Sequence, residues 1–247
     1  MKIAYTDFWG DFNPQNFLIS RIMRNQPNVL EVKDIKEADY LLFSCMGSSH
    51  WFAPDNVIKI YFTGEMITPD FNGCDYAIGF DRLDFGDRYL RFPLFYLYND
   101  ICELMESKHL QPIEKIMTVK DKFCSITVSN AQRNSIFMTL YEKLSSYQHV
   151  DSGGKWNNNI GGPVPDKLEF DKSHKFSIVC ENSAYPGYTT EKIVQAFAAH
   201  CIPIYWGDST IGEVFNKKAF ICVQDFESLD DVVAKVKEID QNESLYH

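Results

Sequence analysis

Short apolar runs alternate with stretches of helical spacing along most of the chain. "KIAYTDFW" (2 to 9), "ADYLLFSC" (38 to 45), "VIKIYFTG" (57 to 64) and "YAIGF" (76 to 80) are rich in aromatic and β-branched residues and are closed by glycine or polar clusters, which predicts strands. Between the first two, "NFLISRIMRN" (16 to 25) puts apolar residues at 18, 19, 22 and 23, the spacing of a helix face. The second half repeats the alternation more clearly. Strands are predicted for "KFCSITVSN" (122 to 130), "KFSIVCEN" (175 to 182), "CIPIYWG" (201 to 207) and "AFICV" (219 to 223). Helices are predicted for "RNSIFMTLYEKLSSY" (133 to 147), "TEKIVQAFAAH" (190 to 200) and "SLDDVVAKVKEI" (228 to 239). The run at 175 to 182 is almost continuously apolar, as a parallel strand covered on both faces requires.

Strict alternation of strand and helix predicts an α/β protein with Rossmann-like layers. Two such halves suggest two facing Rossmann-like domains. Segment 101 to 121 carries charges, a proline and weaker periodicity, so the boundary is placed there, giving domains 1–115 and 116–247.

The 247 residues are 45% hydrophobic and 15% aromatic, enough for packed cores and against wholesale disorder. A net charge of -10 argues against general affinity for nucleic acid or an anionic membrane. Any anionic ligand must be held by local cations. Seven scattered cysteines without a C-x-x-C pair read as buried, reduced thiols of a cytoplasmic protein, not as a disulfide or zinc framework. The N-terminus meets acid and proline before any long apolar stretch, unlike a signal peptide, and no run approaches the ~20 apolar residues of a bilayer span.

The densest polar chemistry lies in "ENSAYPGYTTEK" (181 to 192), between a predicted strand and a predicted helix. In an open parallel sheet, ligands bind beyond the carboxyl ends of strands. Thr189 or Thr190 is expected to cap the helix through its hydroxyl, leaving Glu191 and Lys192 in a first turn whose N–H groups attract phosphate. A lysine there opposes the helix dipole, which suggests an anion between it and the helix end; a solvated lysine beside a capping acid is the competing reading. Arg133 also follows a strand's carboxyl end and could meet the same anion, although alone it reads as a surface arginine. No G-x-G-x-x-G, P-loop or D-x-D sequence occurs, so no dinucleotide, P-loop or metal site is predicted and cations would hold a diphosphate.

"FSIVCENSAYPGYTTEKIVQAFAAHCIPIYWG" (176 to 207) resembles the signature of the bacterial α-1,3-fucosyltransferase family. "FTGEMITPDF" (62 to 71), "DRYLRFPLFY" (87 to 96), "NSIFMTLYEKLSSYQHVDSGGKWNNNIGG" (134 to 162) and "DFESLDDVVAKVKEI" (225 to 239) resemble further blocks of it in order, so the likeness covers about residues 57 to 240. The resemblance implies an α/β fold of the GT-B type with a cleft between its domains, the first binding acceptor and the second GDP-fucose. It implies inverting transfer of L-fucose from GDP-fucose to the 3-hydroxyl of an N-acetylglucosamine unit, without cofactor or essential metal. Arg133 and Lys192 would bind the diphosphate, and Asn182, Tyr188 and Glu191 would contact the nucleotide sugar. Glu65 would be the general base, a role that fits an acid after a strand and a Thr-Gly turn, although an acid in an exposed turn reads equally well from residues alone.

Glu181 is expected to orient its loop by hydrogen bonding, and "VDSGGKWNNNIGG" (150 to 162) reads as a mobile turn or, by the resemblance, a loop lining the cleft. Bacterial relatives often carry a basic amphipathic C-terminal tail. This chain ends at "QNESLYH", so membrane association is unsupported unless such a tail has been trimmed, in which case a place peripheral to the inner membrane is expected. A different GDP-sugar, an α-1,4 linkage and a non-catalytic nucleotide-sugar-binding module stay open as alternatives.

Overall fold

Every strand pairs parallel to its neighbours in the computed structural model, which describes residues 1–107, 112–129 and 135–246. The strands form two sheets, one in each of two compact units, Met1–Leu97 and Tyr98–His247.

The first unit holds β1 (Lys2–Thr6), α1 (Leu18–Arg24), β2 (Leu30–Glu31), β3 (Tyr40–Phe43), β4 (Ile58–Phe62), β5 (Tyr76–Gly79) and β6 (Tyr89–Arg91), with sheet order β2-β1-β3-β4-β5-β6. Ala4, Leu41, Phe43, Tyr61 and Ala77 pack into one core on this sheet. Strict alternation of strand and helix does not hold here: α1 is the one α-helix among the unit's described residues. The connections after β3 and β4, "MGSSHWFAPDNV" and "TGEMITPDFNGCD", carry glycine and proline at short intervals, which stops a helix from propagating.

The second unit contains α2 (Asn99–Ser107), α3 (Ile113–Met117), β7 (Lys122–Ile126), α4 (Ser135–Ser145), β8 (Val150–Ser152), α5 (Lys167–Asp171) and β9 (His174–Cys180). It continues with α6 (Glu191–Ala198), β10 (Ile202–Trp206), β11 (Ile221–Cys222), α7 (Leu229–Asp240) and α8 (Glu243–Tyr246). The sheet order is β11-β10-β9-β7-β8, so successive connections run to opposite sides of β7 and β9. The apolar strand predicted at 175 to 182 is the central β9, with Phe176, Ile178 and Val179 all buried. Leu140 and Leu144 of α4 and Val232 and Val236 of α7 pack with it into one core. Helix α6 buries Ile193, Val194, Ala196, Phe197 and Ala198, the larger side chains each contributing about 2 kcal/mol by leaving water.

Segment 101 to 121, expected as a boundary, contributes helical residues, and α2 packs against α6; the two compact units divide after Leu97, where 115/116 is the boundary expected from the sequence. "VDSGGKWNNNIGG" is a built loop. It opens with the buried edge strand β8, and the Asn159 side chain donates to Val150 O and accepts from Ser152 N–H, taking the place of a missing strand partner. Gly154 approaches Val128 so closely that a Cβ would stand 2.0 Å from its carbonyl oxygen. All seven cysteines are free, five of them buried. No helix among the described residues is long and apolar enough to cross a membrane.

Candidate functional site

Strands β7 and β9 are neighbours whose onward connections depart in opposite directions, and such a switch point leaves a crevice at the strands' carboxyl ends. A cavity of about 260 Å³ lies there. Thr127, Val128 and Ser129 reach it from the end of β7, Glu181 and Asn182 from the end of β9, and Glu191 and Lys192 from the first turn of α6. Phe137, Ile178 and Cys180 supply an apolar wall.

The lysine in the first turn has an internal partner. Lys192 Nζ donates to Glu181 Oε2 at 3.1 Å and to Thr190 Oγ1 at 2.8 Å, and lies 3.9 Å from Glu191 Oε1. Glu181 is fully buried and accepts Thr190 N–H at 2.8 Å and the Thr190 hydroxyl at 2.7 Å as well. Burial pushes the Glu181 carboxyl upward, while Lys192 and the two Thr190 donors pull it back toward the ionised form. Burial would lower the Lys192 ammonium, but Glu181 and then Glu191 outweigh it and hold that group above the ordinary lysine range. Two of the ammonium's three donors are thereby used, leaving one for a ligand. The loop-orienting role read for Glu181 is what these bonds perform. The expected hydroxyl cap is absent: Thr190 occupies the cap position without accepting a backbone N–H of the first turn, and its hydroxyl instead donates to Glu181 and accepts from the Lys192 ammonium.

A second carboxylate holds the same loop from the other side. Buried Asp208 accepts Gly187 N–H at 2.8 Å, the Thr189 hydroxyl at 3.0 Å, and both the N–H and the hydroxyl of Thr210 at 2.7 and 2.6 Å. Its own N–H donates to the Tyr205 hydroxyl at 2.9 Å. Gly187, at φ +89°, supplies the left-handed turn that brings these donors together. Gly207 lets β10 pass against Glu181, where a Cβ would stand 2.5 Å from the glutamate Cγ.

Asn182, Glu191 and Lys192 therefore meet in one cavity. Tyr188 does not line it; this residue is 2% exposed and donates its N–H to Tyr185 O. Arg133 lies outside the described residues. Sequence reasoning missed Asp208 and Tyr98. Tyr98 is 41% exposed, yet burial of its hydroxyl end followed by the nearby Glu191 charge pushes the phenol up to about 12.

In the first unit, Glu65 follows β4 and is half-buried. Its N–H donates to Thr63 Oγ1 at 3.0 Å and its carbonyl accepts Ile67 N–H at 2.7 Å, a tight turn that fixes the backbone below the carboxylate.

Residues 3–98 match a family model described as the α-(1,3)-fucosyltransferase FucT N-terminal domain, and residues 117–247 match one described as glycosyltransferase family 10 (fucosyltransferase) C-term. The chain is 32% identical, over 280 aligned positions and its whole length, to the α-(1,3)-fucosyltransferase FucT of Helicobacter pylori, of which it spans 58%. It is 31% identical to a 3-galactosyl-N-acetylglucosaminide 4-α-L-fucosyltransferase of Bos taurus over 55% of its length and 38% of that protein. A crystal structure of α1,3-fucosyltransferase superposes with a TM-score of 0.87 at 30% identity, covering 99% of this chain and 79% of that one. The same enzyme type crystallised with GDP-fucose gives 0.83 at 31% identity, with the same coverage. The fold class expected from the sequence, α/β of the GT-B type, is the fold of these structures.

Proposed function

Because the chain belongs to glycosyltransferase family 10, the fucosyltransferases, we propose that it transfers L-fucose from GDP-fucose to the 3-hydroxyl of N-acetylglucosamine in N-acetyllactosamine-type acceptors. The observation that carries this reading is the cavity at the β7/β9 switch point, with a lysine held charged at the start of α6. Lys192, the free N–H groups of that first turn and Arg133 would bind the diphosphate. Asn182 and Glu191 would contact the nucleotide sugar, and Tyr188 would do so after a change in its packing.

In this reading Glu65 takes the proton of the acceptor hydroxyl as that oxygen attacks the anomeric carbon of fucose. The bond from that carbon to the phosphate oxygen breaks, its electron pair leaves with GDP, and one displacement inverts the centre. Charge growing on GDP is met by Lys192 and Arg133. No metal is assigned a part, and undiminished turnover in excess chelator is expected.

The test is incubation with GDP-fucose and a panel of type 1 and type 2 disaccharides, with the linkage read by NMR. Fucose joined 1→3 on the type 2 acceptor is the expected product. Turnover of GDP-mannose without turnover of GDP-fucose would overturn the donor, and 1→4 product alone would overturn the linkage. Glu65→Gln separates a transferase from a binding module: it should abolish transfer and leave GDP affinity intact.

A further inference from the structure

A second lysine lines the cavity at the β7/β9 switch point. Lys167, the first residue of α5, lies in its wall together with Lys192 and Gln195 of α6. The Lys167 side chain is 19% exposed, and its Nζ donates to Asp171 Oδ2 at 2.6 Å. Among the described residues this is the ammonium's one hydrogen bond, so two of its three donors are left.

The partner is the unusual half of the pair. Asp171 is fully buried and does not line the cavity. Its carboxylate accepts Ser125 Oγ at 2.6 Å and Ser177 Oγ at 3.5 Å, from two buried residues that stand opposite each other on β7 and β9. Lys120 is also near, but its ammonium is taken up by Ala199 O at 2.7 Å and Cys201 Sγ at 3.6 Å. A pair that only stapled α5 at i,i+4 spacing would do so on the helix surface, where both ends keep their water. A carboxylate taken into the interior loses its hydration, and well-packed apolar side chains in place of such a pair would cost the fold less. The charge at 171 is accounted for by what it fixes: a polar file runs from the sheet, through Ser125, Ser177 and Asp171, to an ammonium of the cavity wall.

Lys192 is held in the same manner. Glu181, 1% exposed just after β9, bonds its ammonium, so both lysines that line the cavity among the described residues are tied to buried carboxylates. A free lysine gives up rotamer freedom when a ligand orders it, whereas an anchored one has given it up on folding. We propose that Asp171 is a positioning residue for the donor: it fixes Lys167 Nζ at the cavity, where the two remaining donors meet the GDP part of the nucleotide sugar. Asp171 touches no ligand itself and acts through Lys167, and the proposal rests on the reading of this cavity as the donor site.

Two variants and titration calorimetry with GDP test it. Asp171→Asn keeps the shape and an acceptor for Ser125 while removing the anion that holds Lys167. Its GDP Kd should rise about tenfold, as loss of one charge-assisted contact does, with binding stoichiometry and acceptor KM unchanged. The double variant Asp171→Asn, Lys167→Met removes both charges, and its Kd should equal that of Asp171→Asn, because Lys167 contributes only when anchored. A merely structural carboxylate would lower Tm and the binding-competent fraction and leave Kd where it was. A wild-type Kd in Asp171→Asn overturns the proposal, and so does a further rise in the double variant, which would show Lys167 meeting GDP without Asp171. If the wild-type protein binds no GDP, the donor-site reading falls and the positioning role with it; if it binds GDP and neither variant moves Kd, the positioning role alone falls.

Discussion

Glu181 Oε2 and Lys192 Nζ, 3.1 Å apart across a loop, join the buried carboxylate just after β9 to a cation of the candidate donor cavity. The pair makes Lys192 both ligand group and structural partner. Lys192→Ala is therefore expected to weaken GDP binding by about 10- to 100-fold, as loss of one charge-assisted contact does, and also to lower stability by about 3 kcal/mol because Glu181 is left buried and unpaired. Titration calorimetry at two salt concentrations and thermal unfolding measure the two effects. Unchanged GDP affinity in both Lys192→Ala and Arg133→Ala would remove the diphosphate assignment.

Asp208 governs the other side of the loop. Asp208→Ala orphans the Gly187 and Thr210 N–H groups and two threonine hydroxyls, so a loss of about 3 kcal/mol is expected, with faster hydrogen exchange at the Gly187 amide. Asp208→Asn keeps one acceptor oxygen and should cost about 1 kcal/mol. Equal exchange rates in the wild type and Asp208→Ala would show that the loop is held by something else.

Tyr98→Phe should leave the fold intact and remove the hydroxyl that lies near the Glu191 carboxylate. The expected result is a GDP-fucose KM raised by up to about tenfold, with the acceptor KM unchanged. A shift in the acceptor KM alone would contradict the placement of Glu191 at the donor.

Asp7 gives the first unit an acid-sensitive anchor. Burial would raise its carboxyl, but the backbone and ring N–H of His50 and the N–H of Ser49 outweigh that and hold it below the ordinary range. A depressed carboxyl contributes stability above its unfolded value near 3.9, and the contribution is lost as pH falls through the folded value. Asp7→Asn, which the left-handed backbone at φ +58° tolerates, is expected to cost about 2 kcal/mol at pH 6, a difference that closes as pH falls through the folded value of Asp7. Denaturant melts of both proteins across that range measure it.

The second unit was the more legible half in sequence. Its central strand is a nearly unbroken apolar run, and α7 shows one clear apolar face, so period alone locates both. Strand β8 left no such mark: it is three residues, Val-Asp-Ser, and its Asp151 is held by Lys122 and His174 from distant segments. The cavity residues Asn182, Glu191 and Lys192 could be read from "ENSAYPGYTTEK", because strand end and helix start are both local patterns. Asp208 could not. "WGDST" announces only a polar turn after a strand, and nothing in it says that the loop at Gly187 folds back to meet the carboxylate. The partner of Lys192 was hidden for the same reason, since an eleven-residue separation across a proline- and glycine-containing loop has no periodic signature.

That loop is fastened at Thr189 by Asp208 and at Thr190 by Glu181, both carboxylates buried. Its residues lose their conformational freedom when the unit folds, before any nucleotide arrives. Nucleotide binding should then carry little ordering entropy at these fastened positions, and free and liganded protein should show nearly the same amide protection at Gly187 and from Thr189 to Lys192.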